Sequence, residues 1–438
     1  MNSVEDDKDG KLSLTGSVAL GTGVMIGAGI FALVGQVTEF AGSNVPWAFL
    51  AGAVVVAFSS YSYIRYSSTN PSSGGIAMLL KAAYGPGVIA GTFSLFMYVS
   101  MVLAESLLAR TFGTYLLRPF GMQGSTIWVA CLAVVAIVAA TTVNLVGNEL
   151  VEASATVTAA VKLFGIAALA VAGIAATGVS AFSQLVSGGD QSPPSGHGWF
   201  GLLAGTALCI LAYKGFTTIT NQGDDVRDPK HNIARSIVIA IGLCTVIYLL
   251  LTIAVAGSLS VPEIIAARDY ALAEAASPIF GVWGVRLTVA IAVVATLSGL
   301  VASLFAVSRL YDMLRDMKQV PSLPASLNHR SLLITAALAI VAATAFDLTQ
   351  IASLGAMLYL SMDIAIHWGI IRHLKDEVEA RIWVPAVAIA LDLLVLVPFV
   401  VMKFHTDRLT LGITVAVAVV ITAAQWFAVR QRSAESAS

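Results

Sequence analysis

The sequence predicts an all-α polytopic membrane protein of 12 transmembrane helices, and three observations carry that prediction. Of its 438 residues 58% are hydrophobic and only 11% charged, with a mean hydropathy of +0.86. A soluble chain of that composition would lack the polar surface to cover its core. Twelve apolar runs follow one another, most of them of about 17–25 residues, the length that crosses a ~30 Å hydrocarbon layer. Two of the runs are interrupted by glycine at matching places, Gly27-Ala28-Gly29 within Leu12–Phe40 and Gly215 within Phe200–Thr220.

In chain order, the first run covers residues 13–39 and follows an acidic start with Glu5, Asp6 and Asp7, unlike the basic start of a cleaved signal peptide. The second covers 45–65, and the third, 87–117, carries Glu105 near its middle. The fourth (126–144) holds Cys131; the fifth (151–177) holds Lys162 eleven residues inside apolar sequence and leads into a Gly/Ser/Pro loop, Thr177–Gly198. The sixth (199–220) holds Cys209, Lys214 and the second interruption, and the polar stretch Asn221–Arg235 follows. The seventh (235–257) contains Cys244 and is followed by Ser258–Phe280, which reads as an outer loop with a short amphipathic helix. The eighth covers 282–308, with Thr296 and Ser298, and the ninth, 331–346, is short. The tenth (349–372) carries Asp363 and His367 on one face, the eleventh (382–402) carries Asp392, and the twelfth covers 409–429. No linker separates soluble domains, so residues 1–438 read as a single transmembrane domain.

In hydrocarbon every backbone amide and carbonyl must be satisfied, so a helix is broken at mid-depth only where the freed groups meet protein, water or a solute. Matching breaks in two halves of a chain point to a substrate site at an inverted-repeat interface, and hence to transport. An offset of five runs carries the first break onto the second, which places inverted copies at about 13–177 and 199–372 and leaves peripheral helices at about 382–429. With the N-terminus inside, only Arg110, Arg118, Arg268, Arg286, Lys403 and Arg408 of the 24 Lys and Arg lie at outer ends. Lys162 and Lys214 lie within runs, and the rest lie at or beyond inner ends, which places both termini in the cytoplasm of a multi-pass plasma (inner) membrane protein.

A net charge of -1 argues against nucleic acid as a partner. The three cysteines, all in apolar runs, read as buried thiols rather than disulfides or a metal site. No Gly-Lys-Ser/Thr nucleotide loop is present, which argues against ATP-driven pumping. An integral-membrane enzyme would need a nucleophile-base or metal constellation, and the clustered candidates Asp363 and His367 lack a further member. No cofactor or metal is expected, and the oligomeric state is not legible.

Four ordered motifs carry a resemblance. Lys11-Leu12-Ser13-Leu14 with Gly23-Val24-Met25-Ile26-Gly27-Ala28-Gly29-Ile30-Phe31 resembles the opening of the amino acid-polyamine-organocation (APC) superfamily, in particular its proton-coupled, sodium-independent broad-specificity amino-acid transporters. Val161-Lys162-Leu163, Ala212-Tyr213-Lys214-Gly215-Phe216 with Asp228 to Ile237, and Ser308-Arg309-Leu310-Tyr311 with Arg315-Asp316 sit at the corresponding places. The resemblance reaches to about residue 375. It implies a 5+5 inverted-repeat (LeuT-like) core with broken helices 1 and 6 plus helices 11 and 12. The activity it implies is secondary active amino-acid transport by proton symport with alternating access, with amino-acid or amine exchange (antiport) on the same fold as the alternative.

Each candidate site has its own physics. Unwinding at Gly27–Gly29 would expose amides at the N-terminus of the outer half-helix, where the helix dipole favours a carboxylate, while the Met25 and Ile26 carbonyls would face a cation. Close helix packing is the competing reading, because small residues spaced from Gly23 also form a contact surface. The resemblance implies that carbonyls near Leu211 and Lys214, beside Gly215, help hold a substrate ammonium. Relatives often carry Ser where this chain has Ala28, which leaves the carboxylate to backbone amides.

Lys162 is too deep to reach an interface by snorkelling, and an ionisable group there needs a partner or a task. The resemblance puts it where sodium-coupled relatives hold an ion between helices 1 and 8. Its ammonium is expected to donate to the Gly23 or Ile26 carbonyl and to Thr296 or Ser298, and to bind and release the coupling proton; a permanently paired structural ammonium is the alternative. Lys214 and Glu105 are further intramembrane charges where relatives are commonly uncharged; they are expected to pair and hold helices together, because breaking a buried pair is costly, and the alternative is that Lys214 binds an acidic substrate side chain or Glu105 a basic one. Asp363 and His367 read as an interhelical contact or an ancillary proton relay, Asp392 has no assignment, and Asp224–Asp228 reads as a solvated cytoplasmic cluster.

Overall fold

Ser13 starts the first helix by accepting the Gly16 amide on its side chain, and from there helices fall on each of the apolar runs. The computed structural model describes residues 12–72, 75–146, 148–178, 198–320 and 329–435. The acidic start and most of the loop before Gly198 lie outside the described residues. The helices are α1 (Leu14–Ala28), α2 (Ile30–Ala41), α3 (Val45–Thr69), α4 (Gly75–Tyr84), α5 (Val88–Leu117), α6 (Thr126–Val146), α7 (Asn148–Thr177) and α8 (Gly198–Tyr213). After them come α9 (Thr217–Thr220), α10 (Pro229–Ser258), α11 (Val261–Ala266), α12 (Ala271–Asp316), α13 (Arg330–Ala345), α14 (Leu348–Gly369), α15 (Trp383–Thr406) and α16 (Arg408–Glu435). No strand occurs among the described residues, and nine helical stretches are long and apolar enough to cross a membrane.

Helix ends follow local chemistry. Pro46, Pro229 and Pro262 occupy first-turn positions, where the missing N–H is no loss. Capping boxes, Ser260 with Glu263 and Asp347 with Gln350, open α11 and α14. The stretch 258–280 differs from a loop with one short helix: it holds α11 and the opening of α12, which turns at Gly281 (φ 58°) just after Pro278. Left-handed backbone at that point suits a residue without a Cβ. The helix α4 is an addition that the apolar runs did not announce. Cys209 and Cys244 are buried, but Cys131 is exposed on α6, correcting the expectation of three buried thiols.

Packing places α1 against α10, α12 and α7, and α8 against α3, α2, α14 and α15. Helix α5 packs on α14, α12, α6 and α13; α12 also packs on α7 and α13, and α3 on α10. Both interrupted segments therefore run through the centre of the bundle. Residues 30–34 on α2 and 204–213 on α8 are buried without exception.

Candidate functional site

The first interruption is narrower than the Gly27–Gly29 unwinding expected from sequence. Gly27 and Ala28 remain in α1, and Gly29 alone separates α1 from α2. Its backbone stays near helical values (φ -78°, ψ -69°), its N–H donates to Met25 O at 2.8 Å, and its carbonyl accepts from Leu33 N at 3.1 Å. The Met25 carbonyl is also taken by Tyr248 on α10, whose hydroxyl lies 2.7 Å from it and 3.2 Å from Ala212 O, the carbonyl just before the second interruption. One phenol proton thus bridges the two broken segments. The glycines are places of close approach: a Cβ on Gly27 would meet Ala295 O at 2.8 Å, and one on Gly29 would meet Ala212 Cβ at 2.6 Å. At Gly27 the small-residue packing reading therefore describes the geometry.

The second interruption is a 3-10 turn, Lys214–Phe216, between α8 and α9. A Cβ on Gly215 would lie 2.6 Å from Met25 N, so the two broken segments touch backbone to backbone. Beside them is a cavity of about 20 Å³ lined by Val24, Leu211, Lys214, Gly215, Thr217 and Ser303, among others. That is room for about one water.

Lys214 is not paired with Glu105, which corrects the sequence expectation. Its ammonium donates to Ser100 Oγ on α5 at 2.6 Å and stands 5.2 Å from the centre of the Tyr359 ring. A hydroxyl acceptor and a π face make the direct contacts to the cation, while Glu105 acts on it electrostatically without touching it. Glu105 accepts from Ser303 Oγ on α12 at 3.4 Å, and its Oε2 has no hydrogen-bond partner.

Lys162 is buried on α7 and donates to Gly23 O on α1 at 3.3 Å, one of the two carbonyls named from sequence. The expected hydroxyl partners are turned elsewhere: Thr296 donates to Ala292 O at 2.7 Å and Ser298 to Val294 O at 2.7 Å, each within α12. Serine and threonine in apolar helices commonly satisfy themselves on the preceding turn. The Ile26 carbonyl makes no bond with the ammonium.

Both faces of the bundle are closed by contacts onto the broken segments. On one face, Gln36 Nε2 of α2 donates to Asp269 at 2.7 Å, Thr349 donates to Gln36 Oε1 at 2.7 Å, and Arg268 lies 3.4 Å from Glu39. Burial pushes the Asp269 carboxyl above the usual carboxylate range. On the other face, Leu12 N donates to Asp225 O at 2.6 Å and Arg227 N to Leu12 O at 2.9 Å, while Arg309 of α12 forms an ion pair with Asp225. The run Asp224–Asp228 is therefore more than a solvated cluster, because Asp225 ties the chain before α1 to the end of α12.

Asp363 and His367 acquire a third member in Asp392, which α15 brings against them. Sequence reasoning also missed Tyr248, Ser100, Tyr359 and the Arg309–Asp225 pair. Tyrosine or serine alone inside an apolar run carries no periodic signal, whereas Arg309 stood within a quoted motif and only its partner was missing.

A family model described as amino acid permease matches residues 12–425. The chain is similar to the inner membrane transport protein YbaT of Escherichia coli, at 30% identity over 91% of this chain and 92% of that protein. It is also similar to two Arabidopsis thaliana proteins: the vacuolar cationic amino acid transporter 4 (29% identity, 70% of this chain and 52% of that one) and the vacuolar cationic amino acid transporter 2 (28%, 82% and 59%).

Proposed function

The chain belongs to the amino acid permease family, and from that premise we propose that it carries amino acids across the plasma (inner) membrane by proton symport with alternating access. It is a multi-pass membrane transporter rather than an enzyme. The helix pairings support a 5+5 inverted-repeat core. Under an offset of five spans, the contact α1–α10 maps onto α8–α3, α5–α6 onto α12–α13, α5–α14 onto α12–α7, and α1–α7 onto α8–α14. The pairs α3–α10, α5–α12 and α6–α13 map onto themselves, as helices about a two-fold axis must. In this reading α15 and α16 are helices 11 and 12, and the basic inner ends put both termini in the cytoplasm.

The substrate lies where α1–α2 and α8–α9 meet, between residues Met25–Gly29 and Leu211–Gly215. A cavity of about 20 Å³ is too small for any amino acid, so this conformation is occluded, with both closing networks made. Binding requires α1–α2 to part from α8–α9 on one face at a time. Opening frees the Met25 and Ala212 carbonyls from Tyr248 and offers them to the substrate ammonium.

Lys162 against the Gly23 carbonyl is the observation that carries proton coupling. Its ammonium touches the helix that must move, so its proton affinity depends on where α1 stands, and a gradient can act only through such a difference. The test is uptake of labelled amino acids, basic ones included, into proteoliposomes with and without an inward proton gradient and with and without Na⁺. Gradient-driven accumulation that ignores Na⁺ supports the reading. Uptake that appears only with unlabelled amino acid inside would make the protein an exchanger.

A further inference from the structure

Away from the broken helices, the bundle holds three fully buried ionisable side chains in one place: Asp363 and His367 on α14 and Asp392 on α15. His367 Nε2 lies 3.5 Å from Asp363 Oδ1 and 3.6 Å from Asp392 Oδ2, and the three ligand atoms lie within 4.8 Å of one another. These separations are too long for hydrogen bonds. His367 Nε2 and both Asp392 carboxylate oxygens have no hydrogen-bond partner, and no Lys or Arg among the described residues forms an ion pair with either aspartate. Two ionised carboxylates in a dry interior without a compensating charge would be costly, so a bound cation or protons must neutralise them. The two distances from His367 match the edge of a tetrahedron around an ion with metal–ligand bonds of ~2.0–2.2 Å, which is about 3.3–3.6 Å.

We propose that Asp363, His367 and Asp392 form a binding site for a divalent transition-metal ion, best matched by Zn²⁺, which ties α15 to α14 and α3. One divalent ion balances two carboxylates. The imidazole nitrogen selects a first-row transition ion over Mg²⁺ or Ca²⁺, which favour six or more oxygens. Helix α3 supplies the surrounding support from one face: Ser59 Oγ donates to Asp363 Oδ2 at 2.6 Å, Tyr63 OH to Asp363 Oδ1 at 2.5 Å, and Ser62 Oγ lies 2.8 Å from His367 Nδ1. With the imidazole proton on Nδ1 and donated to Ser62, Nε2 turns its lone pair to the two carboxylates, the arrangement that orients a histidine ligand. No spacing along the chain signals a metal, because the third ligand comes from a helix about 25 residues downstream with no motif of its own. The site is independent of the transport reading and survives its failure.

Full-length protein, expressed with added ZnCl₂ and carrying His231→Ala to remove the exposed His231–Asp228 pair, is purified in detergent and its metal counted by elemental analysis. The expected result is about one Zn²⁺ per chain, with a lower melting temperature after chelation, and at least a tenfold loss of metal in Asp392→Asn. Ser62→Ala keeps all three ligands and should bind Zn²⁺ ~10–100-fold more weakly, which decides the matter if Asp392→Asn does not fold. Folded protein without stoichiometric metal overturns the proposal and leaves protons as the neutralising charge. Metal retained at full level in Asp392→Asn, or with unchanged affinity in Ser62→Ala, overturns it equally.

Discussion

A methyl group at Gly27 tests whether the contact between α1 and α12 sets the occluded state. In Gly27→Ala the new Cβ would lie 2.8 Å from Ala295 O and 3.3 Å from Gly299 Cα, both backbone atoms of α12. An ordinary contact needs at least 3.4 Å, so α1 and α12 must separate by about 0.6 Å. Overpacking of this kind costs about 1–3 kcal/mol. At 1.4 kcal/mol per decade, the occluded conformation becomes ~5–150-fold less populated. With an unfolding entropy of ~2.1 cal/mol/K per residue, the melting temperature of a chain of this length falls by only ~1–3 °C. Transport should therefore suffer more than stability, and Gly27→Leu, which no small shift accommodates, should abolish uptake and binding. Gly242→Ala on α10 is the control, since nothing lies within 4 Å of a Cβ there. The assay is initial uptake into proteoliposomes at matched protein content, together with melting in detergent. Wild-type uptake in Gly27→Ala, or equal loss in Gly242→Ala, would refute the packing argument.

The remaining predictions concern charge. Lys162→Ala should retain counterflow exchange but lose accumulation driven by a pH gradient, which at one proton per substrate is up to ~10-fold per pH unit, or about 1.36 kcal/mol; undiminished accumulation would make the lysine structural and move the proton site elsewhere. Ser100→Ala removes the hydroxyl acceptor of a buried ammonium and should destabilise by about 1.5–3 kcal/mol, whereas Lys214→Met removes the charge itself and should be milder. Equal melting of the two variants would contradict this, and a changed preference between acidic and neutral amino acids in Lys214→Met would show that the lysine reads substrate charge. Because burial holds Asp269 above its ordinary value, its contribution to the closed fold is complete below about pH 3.9 and is lost as pH rises through the raised value. Asp269→Asn should flatten that part of the melting profile, and an unaltered profile would refute it.

Much of the architecture was legible because hydrocarbon imposes rules that act along the chain. Helix length, apolarity and the satisfaction of backbone groups are local demands, so helices fall on all twelve apolar runs of the sequence, and Gly29 and Gly215 mark the interruptions. Lys162 announced itself in the same way, since an ammonium amid apolar residues is conspicuous at any register. The width of the first break was not legible: glycine permits unwinding and close packing alike, and only Ala295 and Gly299 of α12 decide for packing at Gly27.

Apart from the Gly23 carbonyl against Lys162, partners depended on tertiary structure. Sequence paired Lys214 with Glu105 by charge, but the packing of α5 and α14 puts Ser100 and Tyr359 against the ammonium instead. Tyr248 reaches two carbonyls that lie 223 and 36 residues away in the chain, and Asp392 reaches His367 across a helix–helix interface. What the sequence by itself determined was the solvent each helix lives in and the depth at which polar groups sit, because transfer free energy depends on residue type and helix length. Which groups meet was decided only by the tertiary structure, because hydrogen bonds and steric contacts act over about 3–4 Å, a distance set by helix rotation and crossing rather than by spacing along the chain.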